Sequence, residues 1–171
     1  MAQHYDNPFR NMTVISLKTQ QEDYDYYCQA GQPRAKANRS PFPRKVDLWF
    51  AGLSLAARKN LEPMHLKKKD TVSIIRYGEV FNTDNWQTQA IMLIAIAVEG
   101  NLEVVLNPGR MMEIANGLAA AGVPYIVKML NEGSESPIWN LSDALEKLLQ
   151  SGPVTEEQAI QNQLAEALYD L

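Results

Sequence analysis

The chain has 171 residues, a hydrophobic fraction of 46% and a formal net charge of −4, values that fit one ordinary globular domain with its own core. A single cysteine, Cys28, excludes an intramolecular disulfide, and two histidines, His4 and His65, are too few for a structural zinc site. The start is not a basic segment followed by an apolar run, and the longest apolar stretch, residues 90–98, is about half of a membrane span, so a soluble cytoplasmic protein is expected.

Residues 1–11 carry no periodicity and read as a loose arm. Residues 12–18 (MTVISLK) are rich in β-branched side chains and read as a short strand or extended segment. Tyr24, Tyr26 and Tyr27 then stand among Glu22, Asp23 and Asp25, an acidic aromatic stretch without a clear period. Residues 31–44 (GQPRAKANRSPFPR) are a linker or surface loop by composition. From Pro43 the pattern changes: Val46, Trp49, Phe50, Leu53 and Ala57 fall at the spacing of one helical face. Arg58 and Lys59 sit in that helix's last turn, where positive charge suits the dipole. Gly52 costs roughly 1 kcal/mol relative to Ala in a helix interior, but its missing side chain allows close packing.

A basic tip over residues 65–70 leads into TVSIIRYGEVF, a short strand or extended segment with Gly78 as its break. Asn82 to Asn85 offer caps for a helix over 86–99, ended by Gly100 and Asn101. Its centre, AIMLIAIAV, is apolar all round and is expected to form the buried middle of the fold. LEVVL, residues 102–106, resembles a short strand carrying an acid. Asn107-Pro108 is a helix start, with Asn as N-cap and Pro at the first helical position. This helix is expected to end at Gly122 as a C-terminal cap, with a second short helix over 123–130 carrying Pro124 in its first turn. A polar loop over 132–137 precedes a helix over 141–150 with Leu141, Leu145, Leu148 and Leu149 on one side. After Ser151-Gly152-Pro153, the capping box Thr155-Glu156-Glu157-Gln158 opens a terminal helix with Ile160, Leu164, Ala167 and Leu168 on one face. The expected fold is mainly α: a compact multi-helix domain with one or two short strands and an extended N-terminal arm. Residues 1–42 form the arm and basic linker, and 43–171 the helical domain with its acidic C-terminal helix.

Chemistry-bearing motifs are scarce. No phosphate-binding loop and no G-x-G-x-x-G is present. Cys28 lies in a polar, tyrosine-rich segment and reads as an incidental, partly exposed thiol. Glu79, Asp84, Glu99 and Glu103 are the carboxylates a metal-dependent nuclease would need, but no lysine follows at useful spacing and solvated charges beside turns explain them. No catalytic, cofactor-binding or metal-ligating residue is therefore assigned, and nuclease activity remains only an alternative.

Charge distribution carries more information. Residues 31–69 hold Arg34, Lys36, Arg39, Arg44, Lys45, Arg58, Lys59, Lys67, Lys68 and Lys69 against Asp47 and Glu62, a balance of +8. Residues 131–171 hold eight acids against Lys147, a balance of −7. Such segregation suits docking on an acidic partner, on another copy's acidic tail in a homo-oligomer, or on phosphates. A sequence-independent DNA-binding protein is thus a second alternative. The terminal helix packs on its own domain or seats in a groove of a partner.

The run PRKVDLWFAGLSLAARKN from Pro43, IRYGEVF from Ile75, residues 89–100 and 102–106, and IANGLAAAGVP from Ile114 resemble small bacterial proteins associated with the Dnd DNA-phosphorothioation gene cluster. The resemblance spans residues 43–130, roughly half of the chain, and its motifs are structural in kind. It implies a role in prokaryotic DNA modification or anti-phage defence, as a non-catalytic accessory subunit beside a larger ATPase or nuclease. It brings no catalytic residues with it.

Overall fold

The computed structural model describes residues 7–30, 38–77 and 86–151. The strand expected near residue 12 is β1 (Thr13–Leu17), whose alternation turns Val14 and Ser16 inward. It pairs antiparallel with β2 (Thr71–Arg76), with a register irregularity between Val14 and Ile15. A two-stranded ribbon is marginal on its own, so it leans on the helices. The acidic aromatic stretch is a short helix, α1 (Gln21–Tyr27), with Tyr24 and Tyr27 buried and Tyr26 outside. The segment read as an arm is built into the body: Phe9, Val14, Tyr24, Tyr27 and Cys28 all belong to the core. Residues 1–6 lie outside the described residues.

The body is organised on two helices, α2 (Lys45–Arg58) and α4 (Pro108–Asn131). In α2 the stripe read from the sequence widens, burying Leu48, Leu55 and Ala56 as well as Val46, Trp49 and Leu53. Glycines let the two backbones meet. A Cβ on Gly122 would lie 2.7 Å from the Gly52 carbonyl carbon, and one on Gly52 would lie 2.7 Å from Val123 Cγ2. Neither distance is tolerable for a real side chain, so both positions need glycine for space.

This crossing corrects the expected stop at Gly122. Gly122 is not among the glycines with positive φ, and α4 runs on for 24 residues with Pro124 inside it. Proline lacks the N–H that would bond the carbonyl four residues back, which is Ala120. The buried Gln20 supplies the missing donor: its Nε2 donates to the Ala120 carbonyl at 2.7 Å. One external hydrogen bond thereby lets the helix pass the proline.

Two further expectations change. Residues 102–106 form a 3₁₀ turn instead of a strand, with the Asn101 side chain accepting from the Glu103 N–H at 2.9 Å. The apolar helix, α3 (Trp86–Glu99), is not the buried middle. Only Thr88, Ile91 and Ala95 are buried in it, because it lies on the outside of α4. Its end is as read, with Gly100 at φ 65°. Asn107 caps α4 by accepting from the Arg110 N–H at 3.0 Å. After a turn containing Gly133 at φ 147°, α5 (Pro137–Gln150) returns along α4. Asn140 fixes that return, donating to the Leu130 carbonyl at 3.1 Å and accepting from the Glu135 N–H at 3.2 Å. The terminal helix read over 155–171 and the caps read over 82–85 lie outside the described residues.

Candidate interaction surface

The residues expected to bind a partner or nucleic acid divide among several places. Arg34 and Lys36 lie outside the described residues. Arg39 places its guanidinium 4.2 Å from the centroid of the Tyr26 ring. Arg44 opens α2, donating through its backbone N–H and its guanidinium to Asp47, at 2.9 Å and 2.6 Å. Lys45 pairs with Asp25 of α1. Arg58, at the far end of α2, donates to the Leu148 carbonyl at 2.6 Å, and Lys59 sits over the Tyr125 ring at 5.4 Å. A helix of 14 residues separates the two groups by about 20 Å. Lys67, Lys68 and Lys69 form an exposed tip before β2 and make no ion pair among the described residues. The structure therefore groups Arg39, Arg44 and Lys45 beside α1, Arg58 and Lys59 at the end of α2, and the three lysines apart.

The acids are also tied locally. Glu99 and Glu113 flank Arg110 at 2.6 Å and 2.9 Å, and Lys128 meets Glu132 at 3.4 Å. The hydrogen bonds to both carboxylates hold the Arg110 guanidinium above its ordinary pKa. All these pairs are solvent-exposed and contribute little to stability, about 0–1 kcal/mol each. Glu79 and Asp84 lie outside the described residues. Among the described residues, no group of three or more His, Cys, Asp or Glu is placed to hold a metal ion.

Cys28 is fully buried, which corrects the expectation of partial exposure. Burial pushes its thiol up to about 12, despite the opposing charge of Lys45, so little reactive thiolate exists at neutral pH. Burial likewise pushes the Tyr77 hydroxyl up to about 12, where it shares a hydrogen bond of 3.1 Å with Thr88. Both groups serve packing. His65 is exposed, as read.

The Ala-Asn-Gly motif at Ala115-Asn116-Gly117 also has a structural task. Asn116 Oδ1 accepts from the Ile15 N–H at 3.0 Å and from Trp49 Nε1 at 3.2 Å. Its Nδ2 donates to the Thr13 carbonyl at 3.2 Å. One amide thus ties β1, α2 and α4 together. Gly117 admits the chain beside it: Met64 N–H donates to the Gly117 carbonyl at 3.2 Å, and a Cβ there would lie 2.6 Å from the Met64 carbonyl oxygen.

The surface also carries exposed large apolar side chains. Trp86 is 62% exposed, Leu93 67%, Leu102 70% and Leu106 82%, all on α3 or on the 3₁₀ turn that packs against it. Exposed single leucines are unremarkable, but four large side chains on one helix-turn unit are a patch. A second apolar feature lies between α2, α4 and α5. It is a groove of about 330 Å³ lined by residues that include Phe42, Leu55, Ile126, Leu141, Leu145 and Leu148, with Arg58 at one end. Sequence reasoning missed the patch because an all-apolar helix is normally read as interior. No helix among the described residues is long and apolar enough to cross a membrane. No protein-family model, curated protein or solved structure matches the chain.

Proposed function

We propose that this protein is a non-catalytic accessory, complex-forming subunit of a prokaryotic DNA-modification or anti-phage defence system. It works in the cytoplasm, docking on a larger ATPase or nuclease subunit. The observation that carries the reading is the outward apolar face of α3 and of residues 102–106. Water-exposed apolar area of this kind is stabilised by a covering protein surface, at about 1.5–3 kcal/mol for each large side chain fully buried. The resemblance of residues 43–130 to proteins of the Dnd cluster supplies the class of partner. Isolation of the tagged chain from its host tests the reading. A stoichiometric larger subunit is the expected companion, and a lone chain at every salt concentration counts against it.

A second reading, contact with DNA, rests on the exposed Lys67–Lys69 tip. Three lysines neutralising three phosphates give affinity that falls with salt at a log–log slope of about −3. Replacing all three by Glu is expected to abolish binding to a random duplex in a fluorescence titration. Unchanged binding by that variant, or a salt-independent affinity, removes this reading.

A further inference from the structure

We infer that the outward face of α3 pairs with the same face of a second copy of this chain, each copy setting its Trp86 into a hollow of the other. The inference rests on the docking reading, since it concerns the same face: the second copy covers that face while the larger subunit is absent. Trp86, Ala90, Leu93 and Ala97 fall on the side of α3 opposite its buried residues, Thr88, Ile91 and Ala95. From Trp86 to Val98 the helix carries no charged residue. A charged partner surface would bury its charges unpaired there, at a cost, whereas a second copy brings none.

Shape selects the second copy. The hollow, of about 230 Å³, lies toward the end of α3 remote from Trp86, lined by residues that include Ala57, Asn60, Glu62, Ile94, Ala97 and Val98. Trp86 stands at the start of the helix, 62% exposed, with its ring edge-on to Phe50 of α2 at 5.1 Å between centroids. Phe50 lies early in α2 and Ala57 late, so the indole and the hollow occupy the same, α2-facing edge of α3. About 17 Å of helix separates Trp86 from Ala97. A two-fold axis crossing the middle of α3, beside Leu93, therefore brings each Trp86 over the other copy's hollow. Such an interface uses one patch on both copies and closes at two.

Chemistry agrees as well. An indole has an apolar body and one N–H donor. The hollow offers aliphatic Ile94 and Val98 to the first, and the side-chain oxygens of Asn60 and Glu62 to the second. Glu62 is exposed and enters no ion pair among the described residues. Helix α3 has no acid in its first turn and no base in its last. Antiparallel pairing sets each end of its dipole beside the opposite end of the other copy's. One indole and a few aliphatic side chains per copy make a small interface, of the weak, exchanging kind below about 1,200 Å².

The isolated full-length chain, free of its host's other proteins, tests the pairing. Sedimentation equilibrium is expected to give the mass of one chain at low-micromolar concentration and of two near millimolar. Ala97→Arg puts charge at the edge of the hollow and is expected to weaken association at least tenfold, with circular dichroism unchanged. Under mild oxidation Leu93→Cys, beside the axis, is expected to form a disulfide-linked dimer at least tenfold faster than Leu106→Cys, which replaces the more exposed of the two leucines. Cys28 is buried and stays silent. A parent chain that stays single at every concentration would overturn the inference, as would undiminished association of the folded Ala97→Arg variant or equal cross-linking by the two cysteine variants. None of these results touches docking on the larger subunit, which the complex isolated from the host decides, and a missing larger subunit there would leave the self-pairing standing.

Discussion

Replacing Gly122 by alanine is expected to destabilise the protein by about 3 kcal/mol, the upper end of the usual range for overpacking a core. The added methyl would meet the backbone of Gly52, with its nearest carbon atom at 2.7 Å from the Gly52 carbonyl carbon and the carbonyl oxygen nearer still. A flexible side chain can turn away from such a contact, whereas the carbonyl of a helix cannot. Relief must come from moving α2 and α4 apart, which loosens Leu53, Leu118 and Val123, all fully buried. At about 2–4 °C per kcal/mol for a chain of this size, thermal unfolding should fall by about 10 °C. Gly109→Ala is the control. Gly109 is exposed in the first turn of α4, and a Cβ there meets only Asn107 Oδ1 at 3.4 Å. That change is expected to be neutral or stabilising by about 0.5–1 kcal/mol. Equal melting of the two variants would show that the helices do not cross at this point.

Asn116→Ala is expected to be comparably damaging, for a different reason. It removes no large volume, but it strands the Ile15 N–H, the Trp49 indole N–H and the Thr13 carbonyl together. A buried polar group left without a partner costs about 1–3 kcal/mol, and Trp49 is fully buried. Some of the three will recover a water, so a total of about 3 kcal/mol is expected from chemical denaturation. The loss should fall first on β1, whose attachment to α4 runs through this amide. Faster amide exchange across residues 13–17 than in α2 would mark that local release. Stability within 0.5 kcal/mol of the parent, or unchanged exchange in β1, would contradict the role given to Asn116.

These two residues also explain how far the sequence could be read. Local signals held where one segment decides its own fate: Asn107-Pro108 starts a helix, Gly100 ends one, and a run rich in β-branched side chains marks β1. They failed where a distant residue decides. Gly122 is a plausible cap until Gly52 is seen against it, and Pro124 is a plausible helix start until Gln20 supplies the missing donor. Residues 102–106 tighten into a 3₁₀ turn under the Asn101 cap, although their composition suits a strand. The Ala-Asn-Gly motif was visible, but its three hydrogen bonds reach residues more than sixty positions away. The basic residues show the same limit. Charge counting gathers ten of them, yet Arg39 lies against Tyr26 and Lys45 against Asp25 of α1. The apolar run of α3 was plain in the sequence, whereas composition cannot separate a helix buried in its own domain from one facing outward.

That outward helix is where the proposed docking is most directly measured. Leu93 and Leu106 are 67% and 82% exposed, so replacing both by Glu should leave circular dichroism and thermal unfolding unchanged. The mass of the native complex isolated through a tag on the chain is then compared between the parent and the double variant. The expected result is a parent complex that contains a larger subunit, with the double variant recovered alone, an affinity loss of at least a hundredfold. A folded double variant that keeps the full complex mass would contradict docking through α3.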